Sequence, residues 1–384
     1  MSHVDPWMRS LGVLILIGAL LVVGAGCATV SEQGDRADLA RAFRTKGLDP
    51  AAVVIPHELT EEMKAWAHQQ VPRGTPDEKR LSMLLMALLG PQQLHLEYQG
   101  NYTATAEEVF RTRRANCLSF TSLFVGMARE VGVDAFFLDV NEIESFEKEG
   151  DLVVVSGHVS AGYGLGRELK ILDFAAAPAP QSGYKRRVQP ISDLTAISLF
   201  HSNRGAEALR AGQEKEALEW LRKAVLIDPE LSRAWVNYGV ALRRTGDVEG
   251  AETAYRKALE VDPGAVSAYQ NLAALLEYRG KRKEAGELLA LTDKNGNRNP
   301  YSYLALGDWN LANGRVDEAR RFYKRALRLY KGNAEPYAAL GIVSLLSGDR
   351  SEAEKWLRKA AAIDQENGRV QQLSRRLGTG MSAG

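Results

Sequence analysis

The feature that most constrains this chain is a spacing of 34 residues that recurs over five units without a slip. Gly205, Gly239, Ala273, Gly307 and Gly341 stand at that interval, and so do Ala217, Ala251, Ala285, Ala319 and Ala353. Leu221, Tyr255, Leu289, Tyr323 and Leu357 follow the alanines by four positions, and Trp235, Tyr269, Tyr303 and Tyr337 open successive units. A period of this length is the signature of a solenoid, whose units cannot cover their own apolar faces and so stack on one another. Gly or Ala lets two antiparallel helices approach closely, and the large residues fill the space between successive pairs. The array is expected to run from Ser198 to Asn367. Residues Gly368 to Leu377, carrying Val370, Leu373 and Leu377, are expected to cap its last face.

These residues and this period resemble tetratricopeptide repeats (TPR), with Pro229 and Pro263 ending the second helix of the first two units. The third unit departs from the pattern. Thr292 replaces the late Ala, and the polar run from Asp293 to Pro300 is expected to shorten its second helix and bend the superhelix. The resemblance implies a concave face formed by Arg233, Arg243, Arg244, Gln270, Glu277, Tyr278, Tyr301 and Asp308. Such arrays are binding scaffolds for a protein or peptide. This one lacks the regular Lys and Asn ladder that clamps C-terminal carboxylates in chaperone-binding relatives, so it points to no particular peptide.

Upstream of the array the pattern is mixed. Glu61 to Gln70 and Lys79 to Leu89 have helical spacing, and Thr105 with Glu108 forms a capping box that opens a short helix. A mostly apolar helix is predicted from Asn116-Cys117 to Val131, with Asn116 or its neighbour as N-cap. Three strand-like runs follow, Asp134 to Val140, Leu152 to His158 and Glu168 to Phe174. Cys117 falls in the first helical turn, where unpaired N–H groups and the macrodipole favour the thiolate. His158 closes the second strand and Asp173 lies on the third. These three can converge at one end of a small sheet as a nucleophile, a general base and a group that fixes the imidazole tautomer.

Asn116-Cys117-Leu-Ser-Phe-Thr, Gly157-His158-Val and Leu172-Asp173 resemble the transglutaminase-like superfamily, which carries a Cys-His-Asp triad in that chain order. The resemblance covers Thr105 to Ala177. It implies that Cys117 attacks a carbonyl to form an acyl-enzyme, that His158 takes and returns the proton, and that Asp173 orients His158. Tyr163 stands nearest to where the family often has a Trp after its His. The glycines of Gly162-Tyr-Gly-Leu-Gly166 read as a hairpin turn rather than a phosphate loop, since no helix follows. His95-Leu-Glu97 lacks the Cys pair that a zinc deaminase requires. No metal-ligand spacing is present, and no cofactor is expected.

The first 27 residues suggest a destination. An apolar run from Leu11 to Val23 is followed by Gly24-Ala25-Gly26-Cys27, the layout of an export signal. A Cys after small residues resembles a bacterial lipoprotein lipobox, which implies that Cys27 is acylated and tethers the protein to the cell envelope, facing the periplasm. Ala28 favours an outer-membrane destination by the sorting habit of some lipoproteins. Lipidation would leave Cys117 as the remaining thiol of a chain with two cysteines, without an intrachain disulfide partner. The balance of 49 Lys+Arg against 48 Asp+Glu provides no basic field for nucleic acid.

The expected architecture is therefore an α+β papain/transglutaminase-like domain over residues 28–177, a linker over 178–197, an all-α TPR solenoid over 198–367 and a capping helix with tail over 368–384. The expected function is acyl transfer or amide hydrolysis through a thioester, with partner recruitment by the repeats. The alternative is a non-catalytic TPR scaffold for envelope protein assembly with a decayed triad.

Overall fold

The computed structural model of the protein describes residues 35–90, 93–100, 102–149, 152–164, 169–172, 188–294 and 299–378. Cys27 and the apolar run before it, Asp173, and residues 295–298, where the superhelix was expected to bend, lie outside them. The chain divides into two compact units, residues 1–145 with 156–245 and residues 146–155 with 246–384.

In the first unit the elements run α1 Arg36–Thr45, α2 Glu61–Gln70, α3 Asp77–Leu89, β1 Glu97–Tyr98, α4 Ala106–Thr112, β2 Arg114–Ala115 and α5 Cys117–Glu130. There follow β3 Ala135–Glu149, β4 Leu152–Tyr163, β5 Lys170–Leu172, β6 Val188–Ile191, α6 Asp193–Arg210, α7 Glu214–Ile227 and α8 Ser232–Arg244. Local chemistry sets the helix starts. The Thr60 hydroxyl caps α2, the Thr105–Glu108 capping box opens α4, and the Asn116 side chain caps α5.

β3 to β6 form one sheet in the order β5-β4-β3-β6. Ala161 pairs with Leu172 across β4 and β5, and Phe137 with Ile191 across β3 and β6, both antiparallel. The segment expected to be a linker therefore contributes a strand. Pro190 is tolerated there because β6 is an edge, where a missing N–H leaves no ladder position empty. At Gly162 a side chain would strike Phe136 and Leu138, so close packing is the reason for this glycine.

α5 is buried along almost its whole length. Its Leu118, Phe120, Leu123 and Phe124 share one core with Phe137, Val159 and Ala161 of the sheet and with Leu199, Phe200, Val225 and Ala234 of α6, α7 and α8. The first repeat is thus continuous with the cysteine-bearing domain, beginning at Asp193 rather than Ser198.

The second unit comprises α9 Val248–Val261, α10 Val266–Tyr278, α11 Arg282–Lys294, α12 Pro300–Ala312, α13 Val316–Leu329, α14 Ala334–Leu346, α15 Arg350–Ala361 and α16 Gly368–Leu377. The alanines at 217, 251, 285, 319 and 353 are all fully buried. A Cβ on Gly205 would collide with Leu221, one on Gly307 with Tyr323 and one on Gly341 with Leu373, so these positions hold the helices at near contact. A further set at the same period, Gly212, Gly246, Gly280, Gly314 and Gly348, has φ between +69° and +88° and turns the chain between the two helices of each unit. In the third unit α11 runs 13 residues against 14 in α9 and α13, so its second helix is not markedly shortened. Thr292 is buried there with its hydroxyl donating to the Leu289 carbonyl at 2.7 Å. α16 buries Val370, Leu373 and Leu377 as a cap. Arg369 of that helix donates two bonds to Asp308, at 2.8 and 2.7 Å, and fastens the cap to α12.

Two histidines report on the packing of α6. His57 lies 3.7 Å from Asp193, and His201 has its Nε2 3.1 Å from the Val54 carbonyl. Burial is the largest influence on each and lowers both pKa values to about 4, against the attraction of Asp193 for His57 and the Val54 carbonyl bond for His201. Both are neutral in the folded chain at pH 7, and the unfolded chain takes up the protons first as pH falls. Their contribution to stability is therefore full above about pH 6.5 and is lost between there and pH 4, by roughly 3 kcal/mol per histidine at 1.36 kcal/mol per pH unit. Urea midpoints at pH 7, 5.5 and 4.5 should fall steeply, and less steeply in a His57→Asn/His201→Asn variant. Equal slopes in the two proteins would contradict this account.

Candidate active site

Cys117 is the first residue of α5, and Asn116 before it supplies the cap. The Asn116 Oδ1 accepts from the Ser119 backbone N–H at 2.9 Å and from the Ser119 hydroxyl at 2.8 Å, while its amide nitrogen donates to the Thr103 hydroxyl at 2.8 Å. The Ala104 N–H donates to the Ser119 hydroxyl at 2.8 Å. Thr103, Asn116 and Ser119 are buried, whereas Cys117 is only partly covered. A cap of this kind fixes the first turn, and Cys117 is carried on that turn, at the positive end of the helix dipole. Such surroundings stabilise a thiolate.

His158 lies on β4 and is 9% exposed. One helical turn after Cys117, the Thr121 hydroxyl donates to the Val159 carbonyl at 3.3 Å. The start of α5 is thereby fastened to β4 beside His158. Asp173 falls one residue past the end of β5, outside the described residues. Tyr163 ends β4, with the Lys170 ammonium 6.0 Å from its ring. Among the described residues no group of three or more His, Cys, Asp or Glu side chains is arranged to hold a metal ion.

Several residues expected on the partner face are engaged within the fold. Arg233 forms an ion pair with Asp139 of β3, with both side chains nearly buried, and its guanidinium occupies the place that a side chain on Gly157 would need. It is thereby held against β4 at Gly157, the residue before His158. Arg244 donates to the Leu209 carbonyl at 2.7 Å, satisfying the end of α6. Gln270 is buried, with its Oε1 accepting from Asn299 at 3.2 Å and Ser302 at 3.0 Å. Arg243 is partly buried on α8, while Tyr278 is 73% exposed at the end of α10. In the second unit Gln270, Glu277, Tyr301, Asp308 and Trp309 line a groove of about 310 Å³. Burial, followed by the charge of Asp308, raises the Glu277 carboxyl above the usual range.

Sequence reasoning missed Thr103, Ser119, Thr121 and Glu207. Thr121 could have been found from its i,i+4 spacing to Cys117. Ser119 could have been found as the residue three positions after the capping Asn116, whereas Thr103 and Glu207 carry no local signal.

The family model of the transglutaminase-like superfamily matches residues 65–138, a span that contains Cys117 and ends before His158. Tetratricopeptide repeat models match residues 271–334 and 310–377, and that of the Cilia and flagella-associated protein 70 middle TPR-like domain matches 204–302. Protein CTR9 homolog of Arabidopsis thaliana is 27% identical over 168 residues, which cover 42% of this chain and 15% of that protein. A TPR repeat-containing protein of Dictyostelium discoideum is 29% identical over 154 residues, 40% of this chain and 48% of the relative. The chain thus spans less than half the length of these curated relatives. Among solved structures, Pseudomonas aeruginosa pilF is 21% identical with a TM-score of 0.41, covering 46% of this chain and 81% of that one. PilW, described as a widely conserved type IV pilus biogenesis factor, is 18% identical with a TM-score of 0.41, covering 48% and 87%.

Proposed function

We propose, for a chain that carries a transglutaminase-like domain followed by TPR repeats, that Cys117 is the nucleophile of an acyl transfer proceeding through a thioester. The observation that carries this reading is the capped first turn of α5, with Cys117 partly accessible and the same helix fastened through Thr121 to β4 at Val159, next to His158. His158 takes the thiol proton as the sulfur bonds to an acyl carbon, and gives it to the departing amine as the C–N bond breaks. Water or a second amine then attacks the thioester, losing a proton to His158 and restoring the thiol. Asp173 orients the imidazole. Water as acceptor makes the reaction an amide hydrolysis, and an amine makes it a cross-link.

The repeats recruit the protein or peptide on which the site acts. Acylated Cys27 tethers the whole to the bacterial cell envelope, facing the periplasm.

The test is chemical. Iodoacetamide is expected to label Cys117 in the full chain at pH 7 faster than it labels a cysteine in an unstructured peptide, because a lowered thiol pKa raises the thiolate fraction. A rate no greater than the peptide's would defeat the proposal.

A further inference from the structure

Thr103 lies between β1 and α4, outside any helix or strand, yet its backbone groups are satisfied by the first helix of the repeat array. Its N–H donates to Glu207 Oε1 at 2.7 Å, and its carbonyl accepts from Arg204 at 3.2 Å. Arg204 also lies over the Tyr102 ring, 4.7 Å from its centre, and the Tyr102 hydroxyl donates to Glu108 at 3.0 Å. On its other side the Thr103 hydroxyl oxygen accepts from the Asn116 amide nitrogen. That bond decides which way the amide points. With the nitrogen end held, the oxygen end faces the start of α5 and caps it at Ser119.

We propose that Glu207, a residue of the first repeat, is a positioning residue for the Cys117 thiol, acting through Thr103 and Asn116. This rests on the nucleophile reading above. Each bond in the relay joins buried or half-buried groups, where an unmade hydrogen bond is costly and geometry is held tightly. Losing the acceptor at 207 releases the Thr103 backbone, frees the Asn116 amide to turn, and loosens the first turn that faces the sulfur. Burial raises the Glu207 carboxyl above its usual range, in keeping with a role that needs an acceptor oxygen rather than a charge.

The experiment is the pH dependence of Cys117 alkylation by iodoacetamide in the full chain, read by peptide mass spectrometry, with melting temperature measured in parallel. Glu207→Ala is expected to move the labelling midpoint up by about one pH unit and slow labelling at pH 7 by about tenfold, the scale of a lost helix cap. Glu207→Gln, which keeps an acceptor oxygen, should stay within about twofold of the parent. Thr103→Val, which leaves Glu207 intact and removes the hydroxyl, should reproduce the alanine result and guards against a folding defect at 207. If Glu207→Ala and Thr103→Val lower the melting temperature while the midpoint stays at the parent's value, Glu207 is structural only and the proposal is overturned. A parent midpoint at the ordinary thiol value overturns the nucleophile reading and this one with it. A lowered parent midpoint that neither Glu207→Ala nor Thr103→Val moves overturns this one alone.

Discussion

Replacing His158 with alanine is expected to lower acetylation of Cys117 by p-nitrophenyl acetate by about 10²–10⁴-fold at pH 7, the usual range for loss of a positioned general base. His158 is buried on β4, so a volume-keeping His158→Gln variant should be tested beside it and should be impaired to a similar degree. Circular dichroism should show both folded. The effect should narrow above about pH 8.5, where an unassisted thiol ionises by itself. A variant as fast as the parent at pH 7 would leave the imidazole without a role and move the balance to the scaffold reading, in which the repeats act without chemistry. The scaffold reading makes its own demand. A Cys117→Ala protein that folds and captures partners must then retain the biological role.

The largest loss of stability is expected at Asp193. It opens α6, is 1% exposed, and accepts from both terminal nitrogens of Arg129 on α5 at 2.8 and 2.9 Å, while the Arg129 Nε donates to the Ala135 carbonyl at 2.9 Å. This bidentate pair therefore joins the cysteine helix, the sheet and the first repeat at one point. Asp193→Ala leaves a guanidinium in a nearly dry site with no counter-charge in the pair, a change that costs about 3–5 kcal/mol. For a unit of this size that amounts to a fall in melting temperature on the order of 10 °C. Replacing both partners, as Arg129→Met/Asp193→Leu, removes the charges together and should cost much less. Thermal unfolding of the three proteins decides the matter. A single variant no worse than the double would mean that the pair contributes only packing.

The two expectations share a cause, since the first repeat and the cysteine domain have one core. The 34-residue period, read alone, assigns all five repeats to a separate arm. In the structure, Leu199, Phe200 and Val225 of the first repeat pack with Phe120 and Phe124 of α5, and the compact unit ends at Thr245. Helix starts were legible because a cap is a contact between residues three apart, as at Thr105 with Glu108 and at Asn116 with Ser119. The strand β6 was not legible. Val188–Ile191 is short, contains a proline and becomes a strand only by pairing with β3, some 50 residues earlier. The partners that Arg233 and Gln270 have within the fold were not legible for a related reason. A family position names the face a residue starts from, and only the packed neighbours show that one guanidinium pairs with Asp139 and that one amide bridges Asn299 and Ser302. The glycines at 212, 246, 280, 314 and 348 were available from the period and went unread, although their positive φ is the reason each unit can turn.

By itself, then, the sequence determined the repeat period, the helix that begins at Cys117, its cap, and a His and an Asp in the order a thiol mechanism needs. These are properties of residues near one another in the chain, where spacing translates directly into a shared helix face or a capped end. The tertiary structure alone decided that Thr121 fastens that helix to the strand of His158, that Glu207 and Arg204 hold Thr103 from about 100 positions away, and that the array begins inside the core it was expected to serve. Such contacts follow from which surfaces are buried against each other, and no local period records them.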